Sequence, residues 1–297
     1  MSGLFQRRPR RSGSRSGGYP SSGDAGGATG DARSSDWRDY DLVAEDYERA
    51  KAPRTALVAA DLVAMAALPV GGRVLDVGTG TGVAAEAVRA AVGDGGKVVG
   101  IDPSLAMLRL GGAGGPRIAA RALDLPFRDA TFDALVANFV LTHFTKYETA
   151  LFDLLRVLRT GGRLAASVWA EREDEFQRTW RELAEGAVGR ELLKDAHRRA
   201  MPWEGRFSEP ARLEETLRDA GLRPVRVERR EYRFQMSREE YVTGRETTAG
   251  GRFLRQMLGE RGWESFQARA RERFAARFPE RLTDFRDVLL AVGTKPA

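Results

Sequence analysis

The amino-acid sequence predicts an α/β protein with a doubly wound, mostly parallel seven-stranded sheet and a helical cap. Seven short apolar runs are typical of strands, and helical segments alternate with the first five of them. Strands that alternate with helices form parallel sheets with right-handed crossovers. Two long, charged helical stretches late in the chain predict the cap, because they are too long to be plain connections.

The strands are predicted in the segments RVLDV (73–77), KVVGID (97–102), RIAARA (117–122), FDALVAN (132–138), RLAASVW (163–169), VRVERREYRF (225–234) and DVLLAVGTKP (287–296). Gly161 and Gly162 predict a turn that leads into the fifth strand, and Pro53 predicts a break between two N-terminal helices. Ligands of such sheets bind beyond the carboxyl ends of the strands. We therefore expect the functional residues directly after the first four strands.

One domain is predicted over residues 36–297, with lid helices at 36–68 and helical cap insertions at 170–220 and 235–285. Residues 1–35 are rich in Gly, Ser and Arg and hold six arginines against two aspartates, which is +4 of the total net charge of +6. This composition predicts a disordered basic tail, either solvated without a partner or able to bind nucleic acid or anionic lipid.

The composition excludes several kinds of site. The chain has no cysteine, so disulfides, thiolate catalysis and cysteine-bound zinc are excluded, and a cytoplasmic location is expected. Only two histidines are present, which argues against a histidine-rich metal site, and no metal is expected. No apolar run approaches 20 residues, so no membrane span is predicted.

A glycine-rich turn follows the first strand in VLDVGTGTG, where Gly78, Gly80 and Gly82 allow a tight turn close to a ligand. The chain from Gly80 also fits a dinucleotide fingerprint, with Asp102 about 20 residues further on. Asp76 argues against that alternative, because its carboxylate would repel a pyrophosphate and favour a cationic ligand.

Four segments in order, VLDVGTGTG, VVGIDPSLAML, LPFRDATFD and LRVLRTGGRL, resemble the successive motifs of class I S-adenosylmethionine-dependent methyltransferases. They are most similar to the type 11 branch, which includes quinone C-methyltransferases and many natural-product enzymes. The resemblance covers roughly residues 36–168 and implies a Rossmann-like methyltransferase fold with S-adenosylmethionine as cofactor.

The resemblance also implies roles for individual residues. The methionine end of the cofactor would be held by Asp76, Gly78, Thr79, Gly80 and Thr81, with Tyr47 or Arg54 at its carboxylate. The ribose and adenine would be met by Asp102, Pro103, Met107, Ala122 and Leu123, and Asn138 would lie beside the sulfonium. Arg121 stands where the family usually has an aspartate for the adenine amino group, so Asp124 or the backbone would replace it.

Methyl transfer from a sulfonium depends mainly on alignment in a dry pocket. His143, just after the fourth strand, is the candidate catalytic base because its unperturbed pKa suits neutral pH; packing is the alternative. Four aromatic residues are candidate acceptor-pocket walls, although aromatic residues are more often core: Tyr40, Trp169, Trp203 and Phe207.

The predicted function is methyl transfer to a carbon, oxygen or nitrogen of a small, largely apolar metabolite of quinone, polyketide, terpenoid or indole type. The alternatives are a cofactor-binding protein without transfer activity and a nucleic-acid methyltransferase that uses the basic tail. The near-neutral body lacks a basic stripe, which argues against a nucleic-acid partner. A homo-oligomer would form through the N-terminal helix or the cap.

Overall fold

The computed structural model describes residues 38–112 and 115–297, so the predicted tail at 1–35 lies outside the described residues. Its seven strands form one sheet in the order β3-β2-β1-β4-β5-β7-β6. Their bounds are β1 Arg73–Val77, β2 Lys97–Asp102, β3 Arg117–Ala119, β4 Phe132–Asn138, β5 Leu158–Trp169, β6 Val225–Ser237 and β7 Arg281–Thr294. The predicted doubly wound, mostly parallel sheet is confirmed: the first five strands pair in parallel, and β7 runs antiparallel to both β5 and β6.

Three details of the strand prediction were wrong. β7 begins at Arg281, six residues before the predicted start. Gly161 and Gly162 lie inside β5, which begins at Leu158 instead of after a turn. Gly161 has a φ of 75° and donates its N–H to the carbonyl of Lys295 at 2.8 Å, so pairing with the chain terminus continues the strand. β3 ends at Ala119, which leaves Arg121 and Ala122 in a turn at the edge of the sheet.

Eleven α-helices are present in the described part of the chain. They are α1 Ala44–Ala50, α2 Ala52–Ala66, α3 Val83–Val92, α4 Leu105–Leu110, α5 Tyr147–Val157, α6 Glu175–Val188, α7 Arg190–Ala200, α8 Glu204–Phe207, α9 Pro210–Asp219, α10 Arg238–Glu246 and α11 Ala249–Arg277. The predicted break at Pro53 corresponds to the first turn of α2, where proline is tolerated because its missing N–H has no helical partner there.

The sheet is covered on both faces, and successive strand residues alternate between two apolar cores. Val74 and Val136 belong to the core under α2, α3, α6, α10 and α11, while Leu75 and Leu135 belong to the core under α5, α8 and α9. Leu75 and Leu135 are fully buried, which contributes roughly 1.5–3 kcal/mol each. Strands buried on both faces need continuous apolar sequences, and this need explains RVLDV and FDALVAN.

Aromatic side chains hold the late helices together. Trp180 of α6 meets Phe266 of α11 edge-on at 5.3 Å, and Trp263 stacks on the same ring at 5.5 Å. Phe176 contacts Tyr241 of α10 at 5.5 Å. The helices predicted as cap insertions are thus anchored by their own aromatic core. In residues 38–112 and 115–297, no helix combines the length and the apolar character needed to cross a bilayer.

Candidate functional site

Three cavities meet at the carboxyl ends of β1, β2 and β4, and Gly78 lines all of them. The largest has a volume of about 400 Å³, a second of about 200 Å³ extends past Leu123, and a third of about 30 Å³ lies beside Thr81. Strand order reverses between β1 and β4, and this arrangement opens a crevice at that edge of an α/β sheet. The site therefore lies where the sequence predicts it.

The glycine turn, residues 78–82, needs its glycines for two different reasons. Gly78 has a φ of 65°, and a Cβ there would lie 2.4 Å from Val140 Cγ2. Gly80 has a φ of 54°, and a Cβ there would meet nothing within 4 Å and would occupy space beside the cavity instead. The turn packs tightly on one side and leaves a backbone-lined cradle on the other.

Asp76 lies beneath this turn and is fully buried. Its Oδ2 accepts a hydrogen bond from Thr79 Oγ1 at 2.6 Å, whereas its Oδ1 has no partner of normal geometry. Burial raises the pKa of Asp76 to about 7, against the lowering effect of the Thr79 hydroxyl and the Ala85 backbone amide. Asp76 does not line the three cavities. Thr81 lines the smallest of them, and its hydroxyl is also buried without a hydrogen-bond partner.

Asp102 ends β2 and connects the glycine turn to the helix that follows. Its Oδ2 accepts from the Gly80 N–H at 2.9 Å, and its Oδ1 accepts from the Ser104 N–H at 2.8 Å. Burial raises its pKa, although these two backbone hydrogen bonds act in the opposite direction. Each carboxylate oxygen keeps a further lone pair, so Asp102 can still accept two hydroxyl hydrogens from the cavity it lines.

The second cavity is flanked by the loop after β3. Pro103, Arg121, Ala122 and Leu123 line it, and Met107 lines the adjoining part of the main cavity. Asp124 is exposed and does not line either one. The sequence analysis offered Asp124 or the backbone as the group that meets the adenine amino group in place of the family's aspartate. Because Asp124 lies away from both cavities, this geometry favours the backbone.

Asn138 ends β4 in a fixed orientation. Its Oδ1 accepts from Ser167 Oγ at 2.6 Å, and its Nδ2 donates to the Thr55 carbonyl at 3.3 Å. The next residue, Phe139, has a φ of 57°, which is rare for a bulky side chain. Its ring stacks on Trp169 at 4.2 Å and lines the main cavity. Phe139 is a site residue that sequence analysis missed, although its place directly after β4 was a usable signal.

Tyr40 and Tyr47 cover the main cavity from the N-terminal helices. The Tyr40 ring meets Tyr47 and His143 edge-on, both at 5.8 Å, and its hydroxyl lies 3.5 Å from His143 Nε2. The Arg252 guanidinium lies 4.1 Å from the centre of the Tyr40 ring. Burial raises the pKa of Tyr47 far above its usual range, so that phenol stays protonated.

His143 lines the cavity, but its electrostatics differ from the expectation. Burial lowers its pKa to about 4, helped by the charges of Arg252 and Lys51 and opposed by Glu204. This pKa lies below the unperturbed value on which the candidacy of His143 rested, because a buried imidazolium loses its hydration. His143 is therefore a neutral ring at pH 7, and a role as catalytic base stays a prediction.

Three of the four predicted acceptor-pocket residues do not line these cavities. Phe207 is fully buried in the core under α8 and contacts Tyr147 edge-on at 5.4 Å. Trp203 donates from Nε1 to the Thr145 carbonyl at 3.2 Å and packs on the same tyrosine. Trp169 stands behind Phe139. Tyr40 is the one of the four that reaches the cavity, together with Arg199 and Arg252, which the sequence did not single out.

Comparison with known proteins identifies a methyltransferase domain in the chain. A model described as a methyltransferase domain, that of the type 11 family, matches residues 75–166. A second model, for protein-L-isoaspartate(D-aspartate) O-methyltransferase, matches residues 33–111. Residues 75–166 thus match a class I S-adenosylmethionine-dependent methyltransferase domain of type 11. Both matches contain the glycine turn and Asp102.

Curated relatives with partial matches are methyltransferases. A demethylmenaquinone methyltransferase of Roseiflexus castenholzii is 41% identical over 111 residues, which are 35% of this chain and 45% of the relative. A ubiquinone/menaquinone biosynthesis C-methyltransferase of Burkholderia mallei is 34% identical over 128 residues, 41% of this chain and 50% of the relative. The chain spans about half the length of the curated relatives it matches.

A phosphoethanolamine N-methyltransferase of Haemonchus contortus, solved with S-adenosylhomocysteine, shares the fold at a TM-score of 0.53. The alignment covers 88% of this chain and 60% of that protein at 16% identity.

The cofactor is S-adenosylmethionine, and the site fits it. The cradle above Gly80 is open, Asp102 can accept from ribose hydroxyls, and the second cavity is a slot between Pro103 and Leu123. The buried Asp76 Oδ1 and Thr81 hydroxyl lack partners at the end where an amino acid group would lie. These are the polar atoms that a bound ammonium and carboxylate would satisfy.

Proposed function

We propose that this chain transfers a methyl group from S-adenosylmethionine to a small-molecule acceptor. The observation that carries the proposal is the three-part cavity around Gly78, whose largest part continues past His143 and Phe139. A cofactor held along the glycine turn and Asp102 would leave that far part open for an acceptor. The bound cofactor supplies an electrophilic methyl group on a positively charged sulfur.

The residues of the chain contribute mainly by positioning. Asp102 would fix the ribose through its two free lone pairs, and Asn138, itself held by Ser167 and Thr55, would border the reacting region. Phe139 and Tyr40 would exclude water from it. Alignment of the reacting groups in a dry pocket accounts for most of the rate of such transfers.

We propose a small, largely apolar scaffold for the acceptor, since the rings of Tyr40 and Phe139 and the side chain of Val140 line the acceptor part of the cavity. The relatives' names add support for a quinone or similar ring system. His143 can accept a proton only weakly at neutral pH, because its pKa is lowered to about 4. An acceptor that arrives already deprotonated or carries a nucleophilic ring carbon therefore suits this site.

Calorimetric titration of the purified chain tests the cofactor half of the proposal. We expect micromolar binding of S-adenosylmethionine and S-adenosylhomocysteine, no binding of NAD, and loss of both signals in Asp102→Asn, which keeps the shape but removes the charge. Asp94→Asn, in an exposed turn, is the matched control and should bind normally. Transfer of labelled methyl to demethylmenaquinol or a simpler naphthoquinol tests the second half.

Binding without transfer to any acceptor would favour a cofactor-binding protein instead. A cytoplasmic location, the lack of a nucleic-acid partner and a homo-oligomeric state stay predictions from the sequence.

A further inference from the structure

The second cavity, of about 200 Å³, is where the base of the cofactor would lie, and we call it the purine slot. Pro103, the residue after Asp102, lines both the slot and the main cavity. A nucleoside whose ribose is held by Asp102 therefore reaches the slot with its base. The side chains that line the slot are apolar except for three: Arg121, His143 and Thr145.

Arg121 is the one charged group of the slot among the described residues. It lies in the turn after β3, its side chain is exposed, and it lines the slot and the main cavity together. Within the described part of the chain its guanidinium makes no hydrogen bond and no ion pair. An exposed, unpaired side chain can turn onto a bound base without breaking a contact in the protein. A guanidinium carries five N–H donors and no acceptor.

Two other arginines of the site are already engaged, unlike Arg121. Arg199, which lines the main cavity, forms an ion pair with Asp195 at 2.7 Å. Arg252 donates to the carbonyl of Thr247 at 2.5 Å and lies over the ring of Tyr40. Neither of them lines the purine slot. The donors available to a base in the slot therefore include the whole guanidinium group of Arg121.

The other polar groups of the slot can both donate and accept. A threonine hydroxyl such as that of Thr145 does either, and the neutral ring of His143 has one nitrogen of each kind. The backbone N–H and C=O groups of Ala122 and Leu123 take part in no hydrogen bond within the described residues, so both kinds are free there as well. No carboxylate and no side-chain amide of the described residues lines the slot.

This set of groups fits one purine edge better than another. A 6-amino purine presents an amino donor beside the N7 acceptor, whereas a 6-oxo purine presents two acceptors, O6 and N7. A guanidinium can bind O6 and N7 together but cannot accept from an amino group. The backbone of Ala122 and Leu123 serves either base, with its C=O groups for the amino form and its N–H groups for the oxo form. The side chain of Arg121 then decides the preference.

We propose that Arg121 makes the purine slot accept a 6-oxo purine at least as well as a 6-amino purine, so that the site also binds the inosyl analogue of its cofactor. The inference rests on the proposed function, since it takes the cofactor to lie along the glycine turn and Asp102, and it specifies how the base is recognised. A group that only donates favours acceptors on its ligand, and the slot has no group that only accepts to oppose it.

Calorimetry with S-adenosylhomocysteine and S-inosylhomocysteine, which differ in the 6-substituent and the N1 proton of the base, tests the proposal on the full chain. We expect the wild type to bind the inosyl ligand at least as tightly as the adenosyl ligand at pH 7, within a threefold margin. Arg121→Asp replaces the donors by a group that only accepts. It should favour the adenosyl ligand by roughly tenfold or more.

Two further variants separate base recognition from a general effect of charge. Arg121→Met removes the donors without adding an acceptor, and we expect it to weaken inosyl binding severalfold while adenosyl binding changes little. Arg128→Asp makes the same charge change as Arg121→Asp at an exposed position that lines neither cavity, and it should leave the ratio of the two affinities unchanged. Unchanged melting temperatures would show that the variants are folded.

Two outcomes would overturn the proposal while the cofactor assignment survives. One is a wild type that binds the adenosyl ligand more than threefold more tightly than the inosyl ligand. The other is a ratio of affinities that Arg121→Asp leaves as it is in the wild type. Binding of neither ligand to the folded wild type would overturn the proposed function, and this inference with it.

Discussion

The proposed cofactor end and the proposed acceptor end of the cavity share one feature, buried polar atoms without partners. At the cofactor end these are Asp76 Oδ1 and the Thr81 hydroxyl, beneath and within the glycine turn. Behind the other end they include nitrogens of Arg54, Arg245 and Arg286 and carboxylate oxygens of Asp174 and Asp284. Protein interiors seldom leave such atoms unsatisfied. At the proposed cofactor end the unpaired atoms suit the ammonium and carboxylate of a bound amino acid group, whereas behind the other end the unpaired groups carry both signs and interact with one another.

Substitution of the two glycines should disturb the cofactor end most strongly. Gly78→Ala places a Cβ 2.4 Å from Val140 Cγ2 at a positive φ, and we expect it to destabilise the fold by about 2–4 kcal/mol and abolish S-adenosylhomocysteine binding. In Gly80→Ala the added Cβ meets no protein atom, so the loss of stability should be limited to about 1–2 kcal/mol from the positive φ. Thermal unfolding and calorimetry would measure both, and equal stability losses would contradict this account of the turn.

The charge of Asp76 should make cofactor binding depend on pH. The raised pKa of about 7 means that the free protein holds a proton on Asp76 at pH 6, and a cationic amino group favours the ionised form. We expect the affinity for S-adenosylhomocysteine to rise roughly tenfold between pH 6 and pH 8. Asp76→Asn should bind more weakly and flatten this dependence. A wild-type profile that is already flat would remove Asp76 from the cofactor end.

The carboxyl of Asp76 also makes the stability of the fold depend on pH, but stability should fall with rising pH whereas cofactor affinity should rise. Because its pKa is raised on folding from 3.8 to about 7, the folded state binds more protons between these values than the unfolded state. The contribution is fully present below pH 3.8 and is lost as the pH rises through 7. Comparison of the wild type with Asp76→Asn by chemical denaturation at pH 5 and pH 8 would measure it.

The acceptor end should become more stable when one of its charges is removed. Lys51 has a pKa lowered by burial and by four arginines, so Lys51→Met relieves repulsion, and we expect a gain of about 1 kcal/mol in the free protein. Urea unfolding at pH 7 would measure the change. A loss of stability would mean that Lys51 has a partner that the structure does not show.

The smallest effect concerns the two histidines. His143 should titrate near pH 4, whereas His197 should titrate above its usual value, because its hydrogen bond to Glu204 raises its pKa. Folding depresses the pKa of His143 from 6.5, so its contribution to stability is present above 6.5 and is lost as the pH falls through 4. NMR titration of the ring signals would test both directions. A His143 pKa near 6.5 would contradict the buried, cation-flanked site.

The sequence by itself determined the fold class and predicted the residues of the cofactor end. Apolar runs, turn glycines and an aspartate at each strand end are local features, and local features can be read without the partner segments. β1, β2, β4 and the glycine turn were therefore predicted at their observed places, and the predicted Tyr47, Thr81, Asp102 and Asn138 all line one connected set of cavities.

Only the tertiary structure decided the acceptor end. Phe207 and Trp203 resemble pocket aromatics in sequence, but packing against Tyr147 places them in or beside the core. Lys51, Arg245 and Arg286 are separated by up to about 235 residues and look like ordinary solvated charges until the sheet and the late helices bring them together. Burial, which shifts the pKa of His143 and leaves the arginine nitrogens unpaired, depends on neighbours from distant segments, and no local pattern records it.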